Sequence, residues 1–205
     1  MPRKPMNLSL TPMTITSAEF QRLRDRVNRF RVAVEAKAHS GYTETHTLPD
    51  GSEHTYRISG LKSPNQLEDE LLSLFIWIWS MKDHLKELAR ARGADPRLIE
   101  KIADSEVSLG ITADIANRAK HGYLRDSRSG RFSHLTDVGY SVPSAAIGRI
   151  VVGAFDVGLD IVLPESASLH ASIEFESSDP PIDAFAVAEE AMKAWETHAF
   201  PIAGL

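Results

Sequence analysis

At 205 residues and a net charge of −5, the chain suits one domain, or a helical domain with a small appended sheet, and can bury a real core. A hydrophobic fraction of 42% and a charged fraction of 25% are ordinary for a soluble globular protein. The absence of cysteine excludes a disulfide framework, a thiolate zinc site and a cysteine nucleophile, and the acidic balance argues against indiscriminate nucleic-acid binding.

The opening Met1-Pro-Arg-Lys-Pro-Met is positive but lacks the apolar stretch of a secretory signal, and residues 1–16 read as an extended arm. Ser17 is positioned to cap a first helix running to about Ala38, with Phe20, Leu23, Val27, Phe30 and Val34 as its apolar stripe. Arg22, Arg26 and Arg29 form a ridge on the other side, with Glu19 and Asp25 near enough for intrahelical pairs. Asp50-Gly51 predicts a turn between two short strands, a hairpin near 42–58.

Ser63-Pro64 opens the longest predicted helix, which stops at Gly93. Acids in its first turns and bases in its last complement the helix dipole. Its run Leu71–Met81 is apolar nearly all round and, at eleven residues, too short to span a bilayer. Such a segment belongs at the centre of a bundle or in a subunit interface, and self-association through Trp77 or Trp79 is expected. Asp95-Pro96 starts a short third helix, and Ser105 is placed to cap a fourth that ends at His121-Gly122. Residues 17–122 thus read as a helical bundle.

Beyond Tyr123 the pattern changes to that of a sheet. Arg125–Arg131 is a basic turn, and Arg149–Leu163 is rich in Val and Ile with Gly153 and Gly158 between. Leu169, Ala171, Ile173 and Phe175 alternate with polar residues as in a half-buried strand. Asp183 caps a last helix bearing Trp195. Residues 123–205 therefore form an antiparallel sheet with a C-terminal helix on the same core, and the class is α+β.

The segment Asp114-Ile-Ala-Asn117-Arg118-Ala-Lys120-His121 carries the candidate site. At helical spacing Asp114, Asn117, Arg118 and His121 share one side, with Lys120 at its edge and Ile111, Ile115, Ala116 and Ala119 opposite. A carboxylate, an amide, two cations and an imidazole suit anion binding or proton transfer; a solvated face or a structural hydrogen-bond cluster accounts for the same pattern. Lys82-Asp83, at the end of the apolar stretch, would support the site if the second and fourth helices pack antiparallel. A metal site from Asp83, His84, Asp114 and His121 has suitable ligand types but no recognised spacing, and no cofactor motif is present: neither a Gly-rich phosphate loop nor GxSxG. Asp156 and Asp160 read as solvent-facing acids at a bend.

Lys82-Asp83 after an aromatic helix, followed by Asp114-x-x-Asn117-x-x-Lys120-His121, resembles a family of uncharacterised bacterial and phage-associated proteins with KD(W/H) and DIxNxxKH elements. The likeness spans roughly 65–200 and implies no known activity. The segment is more loosely similar to HEPN-type helical ribonuclease domains, whose signature is Arg, four to six residues, then His on a helix. Here Arg118 and His121 are three apart, and the formal match Arg128-x5-His134 contains Gly130 in a predicted turn. That likeness implies His121 as base and Lys120 or Arg118 as phosphorane-stabilising cation. Two readings result for a cytoplasmic homo-oligomer without a membrane partner: a site for RNA or another phosphate ligand on the Asp114–His121 face, or a non-catalytic interaction protein whose polar cluster fixes helix packing.

Overall fold

The computed structural model describes residues 16–205, so the arm expected over 1–16 lies outside them apart from Thr16. The class is α+β, with helices α1 (Ser17–Glu35), α2 (Pro64–Ala91), α3 (Arg97–Ser105), α4 (Val107–His121), α5 (Ala184–Ala194) and α6 (Phe200–Ala203). A single π-helical stretch, Trp195–Ala199, joins the last two. The strands are β1 (Ala38–Thr47), β2 (Glu53–Leu61), β3 (His134–Ser141), β4 (Ile147–Val152), β5 (Asp156–Ile161), β6 (Ser168–Glu174) and β7 (Ile182–Asp183).

α2 is the axis of the molecule, packing against α1, α3, α4, α5, α6 and β3. Its all-round apolar middle requires this: Leu71, Phe75, Ile78 and Met81 are completely buried. The helix starts and stops as its sequence predicts, with Ser63 Oγ accepting from the Gln66 amide at 3.1 Å and Gly93 left-handed at φ 76°. Other ends differ: α1 stops at Glu35, three residues before the expected end at Ala38, which already belongs to β1. Thr16, not Ser17, caps α1 through a reciprocal capping box with Glu19. Ser105 ends α3 with its hydroxyl donating to the Ile102 carbonyl, and so caps nothing in α4. Glu19 and Asp25 are taken by Thr16 and Gln21, which leaves Arg26 to lie over the Trp77 ring at 4.2 Å.

The strands form two sheets where the sequence suggested one. The smaller is antiparallel, β3-β6-β7, and lays Ala171 and Ile173 onto the helical core. The larger, β1-β2-β5-β4, recruits the early hairpin β1–β2 through a parallel pairing of β2 with β5. The stretch 149–163 is itself a hairpin, turning at Gly153–Asp156, where the Gly153 amide donates to the Asp156 carbonyl. The larger sheet touches the rest through a small cluster of Leu61, Ala146, Ile161 and Ala167, with Ile58, Tyr140, Val142 and Ile147 around it. The two segments divided at 122 in the sequence thus share this sheet.

One buried ion pair fastens these layers. Lys62, at the end of β2, reaches Glu70 of α2 at 2.5 Å and also donates to the Ala33 carbonyl of α1. Removing one partner strands the other's charge out of water, so Glu70→Ala should destabilise by about 3–5 kcal/mol. The double replacement Lys62→Met/Glu70→Leu should recover most of that loss, as read by urea unfolding.

Candidate functional site

Asp114 does not face water. It is completely buried although it lies on a helix with Ile111 and Ile115, because the segment after α4 folds back over it. Its carboxylate accepts from Ser127 Oγ at 2.6 Å, Ser129 Oγ at 2.5 Å, the Arg128 amide at 2.7 Å and the Ser133 amide at 3.4 Å. Two hydroxyls and one amide converge on Oδ2 and the Arg128 amide takes Oδ1, so both carboxylate oxygens are engaged. The loop comes this close at Gly110, where a Cβ would lie 3.2 Å from the Ser129 Cα. It also holds Phe132 at φ 53°, a strained region for a bulky side chain.

From Asp114 the network runs outward through Arg128. With its amide on Asp114, this residue sends its guanidinium to Glu100 at 2.8 Å and Asp104 at 2.6 Å, both on α3, and over the Trp79 ring at 4.9 Å. Lys82 meets the same Glu100 at 3.4 Å and sits over Trp79 at 4.6 Å, while Lys86 bonds Glu100 from one turn later. Lys82 and Asp114 therefore belong to one network without touching, and their link is Arg128. Burial pushes the Glu100 carboxyl up, but hydrogen bonds from Lys86 and Arg128 and the charge of Lys82 outweigh it and hold the group at about 2.

The rest of the predicted site is dispersed. Asn117 is half-buried, and Lys120 and His121 are exposed at the helix end. Arg118 turns to Glu176 at 2.9 Å and shares a shallow pocket with Glu68, Leu72 and His134. That places the end of α4 beside the start of α2, so the helices are antiparallel. Arg118 then lies level with Leu72, ten residues or about 15 Å along the axis from Lys82. Antiparallel packing, expected to unite Lys82-Asp83 with His121, sets them at opposite ends. Asp83 is exposed, and the ring Nδ1 of His84 is 3.1 Å from the Ser80 carbonyl. Among the described residues no group of three His, Asp or Glu is placed to hold a metal, so the four-residue metal set is not assembled. In the formal Arg128–His134 match the arginine is in the loop and the histidine opens β3, so neither is on a helix.

Both tryptophans of α2 are engaged within the chain: Trp79 beneath Lys82 and Arg128 and near Trp195, and Trp77 beneath Arg26. Each indole therefore carries at least one of the protein's own cations, and Trp77 stays half-buried. Sequence reasoning missed Glu100, Asp104, Ser127, Ser129 and Ser133. The available signal was Ser127-Arg-Ser129-Gly, small hydroxyls flanking the basic turn within reach of a helix acid.

No known protein family, curated protein or solved structure matches the chain.

Glu100 is depressed below its ordinary value of 4.5, so its stabilising contribution is complete above pH 4.5 and is lost as pH falls towards 2. Glu100→Gln should lower stability at pH 7 by about 1–3 kcal/mol and flatten the acid limb across that window, as followed by urea melts at stepped pH.

Proposed function

We propose that this is a non-catalytic interaction protein in which the Asp114 cluster fixes the framework. The observation that carries the reading is the enclosure of Asp114: fully buried, it takes four donors from one loop, three on Oδ2 and one on Oδ1, and presents no surface to a substrate or ion. Arg128 is likewise committed to Glu100 and Asp104, Arg131 to Asp179 and Arg118 to Glu176. A phosphate would have to outcompete an existing carboxylate at each of these arginines.

The phosphate reading retains one supporting observation: Lys120 and His121 are exposed and have no acidic partner among the described residues. They occupy the C-terminal turn of α4, however, where the dipole favours cations and opposes an anion. The resemblance to the uncharacterised family is compatible with either reading, because its specific elements are the two that the Arg128 network connects.

Asp114→Ala should cost at least about 1–3 kcal/mol and raise amide exchange across 127–133, because buried donors lose their acceptor. Unchanged melting would remove the structural role. In parallel, wild type and His121→Ala are incubated with mixed RNAs. Indistinguishable products are expected, whereas cleavage abolished in His121→Ala would replace the interaction reading with a nuclease.

A further inference from the structure

The larger sheet has an apolar face that the described residues cover at its β2 end, around Ile58, and leave open towards β4. Strand alternation puts Tyr56 and Ile58 of β2, Val157 and Leu159 of β5, and Ile150 and Val152 of β4 on one side. The registers align them in rows, Tyr56–Val157–Val152 and Ile58–Leu159–Ile150. The opposite face is ionic, with Arg57 paired to Asp156 and Arg149 to Asp160. Exposure of the apolar side increases towards β4, reaching 58% at Ile150 and 74% at Val152, with Phe155 in the adjoining turn at 62%.

β4 is also an edge, and its protection is slight over residues 150–152. Edge strands are normally blunted by charge, proline or a bulge. β1, on the far side, follows that rule with Glu44, His46, its threonines and a register shift between His39 and Tyr42. β4 carries Arg149, already paired within the chain, and a register shift confined to its start, between Ile147 and Arg149, so that 150–152 remain a regular edge. Because the Gly153 amide bonds Asp156 inside the hairpin, the backbone groups of Arg149 and Val151 point towards β5 by alternation. Those of Ile150 and Val152 then point outward.

We propose that this edge pairs with the β4 of a second copy, antiparallel about a twofold axis through Val151, to form a continuous eight-stranded sheet. In that register Ile150 and Val152 of one copy exchange main-chain hydrogen bonds with Val152 and Ile150 of the other. The two Val151 residues face each other as a non-hydrogen-bonded pair with Cα atoms about 4.5 Å apart. No like charges oppose, since Arg149 falls opposite Gly153 of the other copy. Phe155 at one end of the strand approaches the exposed Val162 and Leu163 beside the other end of its symmetry mate. Because β1 is polar, pairing of β4 with β1 is disfavoured, and the assembly closes as a dimer rather than growing into a filament. The apolar side chains and strand backbone together cover roughly 1,000 Å² over both copies, the lower bound of a specific interface.

The test uses the full chain, whose lack of cysteine makes an introduced thiol unique. Light scattering of wild type should give twice the 22.6 kDa chain mass, and Val151→Lys, which sets two ammonium groups face to face on the axis, should halve it. Val151→Cys should form a covalent dimer on mild oxidation, because the facing pair lies within disulfide reach, while Val32→Cys on α1 should not. A wild type that is monomeric at every concentration overturns the proposal, whatever other protein it captures. So does a dimer that survives Val151→Lys and leaves Val151→Cys unlinked. The Asp114→Ala variant distinguishes this inference from the framework reading on which its functional meaning rests. Loss of stability there with an intact dimer, or the reverse, assigns each result to its own claim.

Discussion

A single carboxylate organises the helical half of this protein. Among the described residues Asp114 is the one acid that is completely buried, and it is acceptable there only because a specific loop brings donors onto it. The constraint acts in both directions. Without the loop the carboxylate would stand in water and hold nothing. Without the carboxylate, the Arg128 and Ser133 amides and two serine hydroxyls would have to find acceptors elsewhere, and the strained Phe132 backbone would lose what holds it.

That contact also decides where Arg128 lies. Its main chain is fixed on α4 through Asp114, so its guanidinium is delivered to α3 and the face of Trp79 at little further entropic cost. Glu100 then collects Lys82, Lys86 and Arg128, three cations from α2 and the loop, onto one short helix. α3, only nine residues long, could not hold its position by propensity. It is tied by this network and by the burial of Ile99 and Ala103.

The helical half was largely legible in the sequence because its signals are local. Ser63-Pro64, Gly93, Gly122 and Asp183 act within a turn of themselves, and the apolar run of α2 marks a central helix whatever surrounds it. The joining of β2 to β5 is not local: it pairs Thr55 with Asp156, and nothing in either strand names the other. The site was less legible for a related reason. Helical periodicity correctly puts Asp114, Arg118 and His121 on one side, but it cannot show that the following loop covers only the first turn of that side. Coverage ends between Asp114 and Lys120, so one stripe is part core and part solvent. Lys82 does belong to the Asp114 network; its true partner, Glu100, lies in a helix too short to display a face.

The two halves differ in how they use their apolar residues. In the helical core even the long cations serve burial, with Arg26, Lys82 and Arg128 covering indole faces that the backbone leaves open. The larger sheet does the opposite. Its ionic face is satisfied internally by cross-strand pairs, yet Ile150, Val152 and Phe155 remain exposed among the described residues, on a second strand edge whose one charge, Arg149, is already paired with Asp160. Neither core requires those side chains: the helical cluster is complete without them, and the small one is closed by Ile58, Ile147 and Ile161. A position that does not serve its own fold and costs hydration is under no folding constraint to be apolar. Among the described residues nothing covers the valines and isoleucine along that edge, and a strand pairing of the kind proposed would bury them.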